Sequence, residues 1–115
     1  MITLTKLCRS AGLSRKILQD YDRLGLLKHC AETPGGYWLY EEDALDRLAL
    51  IQLLRHAGYT RQELLPILDP PDAPISVMLD MVQTALQCRQ HQIDQLLHRV
   101  ELMRLKQEEP TLKAE

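Results

Sequence analysis

The stretch LSRKILQDYDRLGLL, residues 13–27, has the pattern of a short helix with a start signal and a stop signal. Ser14 is a good N-cap, because its hydroxyl can accept hydrogen bonds from the free backbone amides of the first helical turn. Gly25 is a common residue just past a helix C-terminus. The pattern therefore predicts a helix over residues 15–24. Its inner side is expected to carry Ile17, Leu18 and Tyr21.

A second helix is predicted immediately before this one. LTKLCRSA, residues 4–11, places apolar side chains at the i, i+3, i+4 and i+7 spacing of one helix face. Gly12 ends this helix, and the short segment GLS joins it to the next. Two short helices joined in this way predict a helix-turn-helix, in which the second helix can enter the major groove of DNA.

A small hairpin and two more helices are predicted to follow. TPGGY, residues 33–37, is a tight-turn sequence, and we expect its flanks, GLLKH and YWLY, to pair as two strands. Residues 41–58 have acids in the first turn and basic residues in the last, as the helix dipole favours. TRQE, residues 60–63, fits a capping box at the start of a short helix that continues through LLPIL.

The last third of the chain predicts one long helix. Residues 75–107 contain no Gly or Pro, and they follow the helix-breaking linker DPPDAP, residues 69–74. We therefore expect a domain over 1–68, this linker, a helix over 75–107 and a disordered tail over 108–115. A heptad stripe fits the helix. Its members are Ile75, Leu79, Val82, Leu86, Arg89, Ile93, Leu96, Val100 and Met103.

This stripe predicts a homodimer. A long apolar stripe left in water marks an interface, and a two-fold symmetric partner is its commonest cover. The predicted interface comprises the eight stripe residues from Leu79 to Met103, with Arg89 as the one charged member. The alternative is a helix folded back on its own domain, which the linker would permit.

The bulk properties limit the possible functions. The net charge of −2 argues against a general polyanion binder, yet residues 1–30 carry six basic and two acidic residues, a net charge of +4. Local positive charge suits phosphate contact. Three widely spaced cysteines suit a reducing cytoplasm. There is no apolar run of about 18 residues and no signal-peptide pattern, so no membrane partner is expected.

Catalytic and metal sites are not expected. The chain has no catalytic-triad ordering, HExxH motif or Gly-rich phosphate loop, so neither an enzyme nor a cofactor is predicted. Cys88 and His91 have an i, i+3 spacing that could supply half of a zinc site. The preferred interpretation is that Cys88 and His91 are ordinary surface residues of the helix. Cys30, before the hairpin, remains a minor candidate for a redox-sensitive thiol.

The order of these elements resembles the MerR family of bacterial transcription regulators. The resemblance covers about residues 2–68 and rests on AGLS, DYDRLGLL, GGYWLY, LDRLALIQLLRHAGYT and QELLPIL. It implies a mainly α fold, with a winged helix-turn-helix domain and a long C-terminal coiled-coil dimerisation helix. It also implies a homodimer on a palindromic promoter operator, with RNA polymerase or another regulator as a further partner. The chain also resembles the short, MerD-like form of the family, which has no effector domain.

The resemblance also assigns the DNA-contacting residues. Arg15 and Lys16 begin the recognition helix, where side chains reach base edges. The expected DNA contacts are Arg15, Lys16, Tyr21, Tyr37, Lys6 and Gln19. A core position for Tyr21 and a packing role for Tyr37 in the hairpin are open alternatives.

Some typical family contacts are replaced in this chain. Residues 18–22 read LQDYD where the family typically has Leu-Arg-Tyr-Tyr-Glu, and Glu32 and Trp38 stand where the hairpin often carries arginines. Fewer cations release fewer counterions, so we expect weaker or more partner-dependent DNA binding than in fuller relatives. The alternative function is a protein-binding co-regulator that docks through Trp38 and the hairpin.

Overall fold

The computed structural model describes residues 1–108, which form five helices and three short strands. Seven residues of the predicted disordered tail, 109–115, lie outside the described residues. The elements are β1 (Ile2–Thr3), α1 (Leu4–Ala11), α2 (Arg15–Leu24), β2 (Ala31–Glu32), β3 (Trp38–Tyr40), α3 (Ala44–His56), α4 (Arg61–Ile67) and α5 (Ile75–Gln107). Among residues 1–108, none of the helices combines the length and the apolar character that a membrane span requires.

The predicted helix-turn-helix is confirmed together with its end signals. The Ser14 hydroxyl accepts a hydrogen bond from the Ile17 amide at 3.2 Å, which satisfies a free donor in the first turn of α2. Gly12 and Gly25 end α1 and α2 in the left-handed region, with φ of 69° and 84°. Side chains with a Cβ are disfavoured there, so both glycines help to fix where the helices stop.

The predicted two-stranded hairpin is corrected to a three-stranded antiparallel sheet in the order β1-β3-β2. The strand before the turn is Ala31–Glu32 and not residues 25–29. Leu26 and Leu27 lie instead in the core, because apolar side chains at the end of α2 are buried by the domain. The strand β1 was not predicted, since two residues are too short to show an alternating pattern.

The core is built mainly from aliphatic side chains of the helices. Leu7, Leu18, Leu48, Ile51, Leu54 and Leu64 are almost completely buried. The compact unit Met1–Gln83 also contains the first turns of α5, whose Met78 and Val82 are 2% and 3% exposed. Val82 is therefore a core residue of the single chain, and this burial contradicts its predicted position at a dimer interface.

The remainder of α5 belongs to a second unit that begins at Thr84. Each side chain from 91 to 108 is exposed. Among the predicted stripe residues, Ile93, Leu96, Val100 and Met103 are each half exposed or more. Large aliphatic side chains that are this exposed along one helix are typical of an interaction surface.

Candidate nucleic-acid interface

One face of α2 is polar and exposed. Arg15, Gln19 and Arg23 are spaced by four residues and so lie on successive turns of the same face. Lys16 is exposed beside Arg15 at the first turn. The opposite side of the helix is buried in the domain, so this face is the part of α2 available to a ligand.

A cleft of about 450 Å³ separates this face from the sheet. The Arg15 guanidinium reaches the start of α1, where Nη2 donates a hydrogen bond to the Thr5 hydroxyl at 2.7 Å. Gln19 and Tyr37 line the same cleft. The structure therefore brings together three of the predicted DNA-contacting residues, whereas Lys6 and Lys16 are exposed but do not line the cleft.

The turn between β2 and β3 presents Tyr37 to solvent. The Thr33 amide donates to the Tyr37 carbonyl at 2.9 Å, and the Tyr37 amide donates to the Thr33 hydroxyl at 3.1 Å. Gly36 supplies the positive φ of 82° that the turn requires. The Tyr37 ring is 66% exposed, so this side chain does not pack the hairpin core.

Tyr21 is corrected to a core residue. It is only 4% exposed, and the guanidinium carbon of Arg61 lies 5.4 Å from the centre of its ring. This geometry is a cation–π contact between α2 and α4. Tyr21 therefore stabilises the domain and is not available as a DNA contact.

The two acids of α2, Asp20 and Asp22, have different environments. Asp20, on the exposed side, is held by Arg23 Nη1 at 3.3 Å and by Arg61 Nη1 at 3.3 Å. Asp22 is 2% exposed and lies inside the domain. Neither carboxylate is therefore a free negative charge on the surface of α2.

Asp22 connects α2 to the sheet and to the loop before it. Its Oδ2 accepts hydrogen bonds from the His29 amide and from the Tyr40 hydroxyl, each at 2.8 Å, and lies 2.8 Å from His29 Nδ1. Lys28 Nζ is 3.5 Å from Oδ1. Asp22 is not among the predicted functional residues. Its position four residues after the buried Leu18, on the inner side of the helix, was the available signal.

These contacts shift two pKa values. Burial acts to raise the pKa of Asp22, but hydrogen bonds from His29 and Tyr40 favour the charged form more strongly and hold the pKa below its ordinary value. Burial and the neighbouring Asp22 carboxylate raise the pKa of Tyr40. The pair thus consists of an ionised carboxylate and a neutral phenol.

Trp38 packs within the sheet region. Its ring stacks on the imidazole of His29, with centroids 4.4 Å apart and planes 5° from parallel. His29 Nε2 also lies 3.5 Å from Glu32 Oε1. One face of Trp38 is therefore already occupied, which favours packing over the docking role considered for it.

The cysteines show no sign of an activated thiol. Burial raises the pKa of Cys8. Partial desolvation and the Glu41 carboxylate raise the pKa of Cys30, which favours its unreactive protonated form. Cys88 is exposed on α5. In the described part of the chain, residues 1–108, no three His, Cys, Asp or Glu side chains are arranged to hold a metal ion.

A helix-turn-helix with an exposed basic face, flanked by a small sheet whose turn borders the same cleft, defines a class of protein. It is the winged helix-turn-helix class of DNA-binding regulators. The family described as MerR HTH family regulatory protein matches residues 2–69, and the chain belongs to this family.

Known proteins support this assignment. The chain is 31% identical over 101 residues to the mercuric resistance operon regulatory protein of Bacillus cereus, covering 85% of this chain and 76% of that protein. It is 42% identical over 55 residues to the HTH-type transcriptional regulator MerD of Pseudomonas aeruginosa, covering 48% and 46%. The structure of the N-terminal part of MtaN, the Bacillus subtilis multidrug transporter activator, aligns with a TM-score of 0.57 at 25% identity, covering 88% of this chain and 95% of that chain.

These matches confirm the predicted family, the predicted fold class and the general function of a DNA-binding transcription regulator. The chain spans less than half of MerD and about three quarters of the Bacillus cereus protein.

Proposed function

We propose that this chain binds a palindromic promoter site as a homodimer and regulates transcription from it. The observation that carries the proposal is the exposed side of α2, where Arg15, Lys16 and Arg23 are all exposed and Arg15 also lines the cleft. Residues at the start of a recognition helix reach base edges in the major groove. Exposed cations further along the helix suit the phosphate backbone.

A homodimer is supported by the exposed stripe of α5. Two copies would cover each other's aliphatic side chains, with the stripe from Ile93 to Met103 at the interface. A two-fold dimer presents two recognition helices related by symmetry, and a palindromic site has the same symmetry. RNA polymerase is the natural further partner of a regulator that acts at a promoter.

A non-enzymatic role is part of the proposal. The relatives that the chain matches are transcription regulators, which supports regulation and not catalysis.

Genome-wide mapping of bound sites would separate the proposal from the protein-binding alternative. Discrete palindromic peaks support autonomous DNA recognition, and their absence would favour a co-regulator.

The phosphate contacts are expected to be few. Lys6, Lys16 and Arg23 are the exposed cations placed to meet phosphates, while Gln19 adds no charge and Glu32 adds a negative one. Roughly three phosphate contacts per protomer correspond to roughly six per dimer. The logarithm of the association constant is then expected to fall with the logarithm of the salt concentration with a slope of about −5. Fluorescence anisotropy titrations of the promoter DNA of the chain's own gene, at several salt concentrations, measure this slope. A much steeper slope would show that the contacts are more numerous.

Arg15 is expected to provide sequence specificity. Replacing it by alanine should weaken binding to the specific site by about 1–3 kcal/mol, because arginine can make a bidentate contact to guanine. Binding to random DNA should change little. Arg9→Ala, which removes an exposed arginine from α1, is the matched control. An equal loss on both DNAs would mean that Arg15 contacts only phosphate.

A further inference from the structure

Asp20 is an acid on the side of α2 that we propose to contact DNA, called here the recognition face. It follows Gln19 and lies one helical turn from Lys16 and one turn from Arg23. A carboxylate at this position would meet DNA phosphates, and charges of like sign repel each other at short range. Free carboxylates on this face would therefore oppose the binding that the neighbouring cations favour.

Two arginines neutralise this carboxylate, and they differ in exposure. Arg23 is on the same helix, and its side chain is 68% exposed. Arg61 comes from α4, and its side chain is 32% exposed. An exposed arginine can turn to a phosphate when DNA arrives. The less exposed Arg61 then remains as the partner of Asp20.

Arg61 is held in place from two sides. Its guanidinium lies over the buried ring of Tyr21, 5.4 Å from the ring centre. It is also the first residue of α4, whose start is fixed by a capping box between Thr60 and Glu63. A side chain anchored in this way loses little further entropy when it holds a carboxylate.

We propose that Arg61 is a charge-masking residue for DNA binding. By holding Oδ2 of Asp20 it keeps the negative charge of the recognition face compensated, so that α2 can carry an acid and still approach the phosphate backbone. The inference rests on the proposed binding of DNA through α2. Arg61 acts through Asp20 and does not itself touch DNA.

A double-mutant cycle tests the proposal. The wild type, Arg61→Gln, Asp20→Asn and the double variant are titrated by anisotropy against a random-sequence duplex of about 30 base pairs, because the effect is electrostatic and independent of sequence. Arg61→Gln should weaken binding by roughly five-fold or more at low salt, and less at high salt. In the Asp20→Asn background, the same substitution should have no effect.

Three outcomes would overturn the inference. An equal loss in both backgrounds means that Arg61 contacts phosphate directly. No loss in the wild-type background means that Arg23 alone is sufficient, or that Asp20 does not face DNA. A wild type that binds no duplex removes the proposed function and the inference with it.

Controls separate charge masking from structural damage. Arg55→Gln removes an arginine from the end of α3, where Nη1 donates to the Tyr59 carbonyl, and should leave DNA binding nearly unchanged. Arg61→Lys keeps a charge near Asp20 and should restore part of the affinity. Thermal melting and sedimentation of each variant show whether fold and assembly are intact. An Arg61→Lys variant as weak as Arg61→Gln, with both folded, would also contradict masking by charge.

Discussion

Replacing Asp22 by alanine is expected to lower the free energy of unfolding by about 3–5 kcal/mol. The reason is that the substitution removes a buried carboxylate and leaves its hydrogen-bond donors inside the domain without a partner. The Tyr40 hydroxyl and the His29 amide would lose their acceptor inside the domain. A typical domain has a free energy of unfolding of only about 5–15 kcal/mol, so this loss removes a large part of the stability of the domain. Urea denaturation followed by circular dichroism measures the loss.

Two related variants sharpen this test. Asp20→Ala removes an acid from the same helix, but its carboxylate is partly exposed, so a loss of no more than about 1 kcal/mol is expected. Asp22→Asn keeps one oxygen that can take the place of Oδ2, so its loss should lie between the two alanine variants. Equal losses for Asp22→Ala and Asp20→Ala would show that the buried contacts contribute little.

The same carboxylate predicts how stability depends on pH. Since the folded state holds the pKa of Asp22 below its ordinary value of 3.8, its contribution is fully present above about pH 4. It is lost as the pH falls through the lower folded value. The stability difference between wild type and Asp22→Asn should therefore shrink in strong acid. A difference that stays constant down to pH 2 would contradict the assigned shift.

Replacing Ile93 by aspartate is expected to abolish dimerisation. Its side chain is 50% exposed in the single chain, so the substitution should not disturb the domain that ends at Gln83. In the proposed dimer the same position would be covered, and an unpaired buried carboxylate costs several kcal/mol. The variant should therefore be a monomer that binds a palindromic site poorly, because one protomer contacts only half of it.

His91→Asp is the matched control for this substitution. His91 is two residues before Ile93, which places it about 200° around the helix, away from the stripe. Both side chains are exposed in the single chain, and both variants gain the same charge. Sedimentation equilibrium should give a dimer for the wild type and for His91→Asp, and a monomer for Ile93→Asp. A wild type that is monomeric at micromolar concentration would exclude the homodimer.

The predictions from sequence succeeded where the signal is local. Ser14, Gly12 and Gly25 fix helix ends through contacts within a few residues, so the bounds of α1 and α2 could be predicted directly. The capping box at Thr60 and the absence of Gly and Pro along α5 are equally local. Helix spacing also predicted the inner side of α2, although it left Tyr21 open between core and interface.

The predictions failed where distant residues meet. Arg61 and Asp20 are 41 positions apart, and Tyr40 and Asp22 are 18 apart, so no spacing rule connects them. Val82 fits the heptad stripe, but the first turns of α5 also have a domain to pack against, and that contact buries it. Heptad spacing predicts on which face of α5 a side chain lies. It does not predict whether that face packs against the chain's own domain or against another surface.

The pairing of β1 with β3 has a mechanical consequence. Because β1 leads directly into α1, and Ile2 pairs with Tyr40 across the sheet, this strand pairing links β3, which follows the turn after β2, to the start of the helix-turn-helix. This pairing therefore constrains the separation between the two parts of the domain that we propose to contact DNA. Where that separation does not match straight B-form DNA, we expect the double helix to change shape, and its sequence-dependent stiffness then contributes to selecting the site.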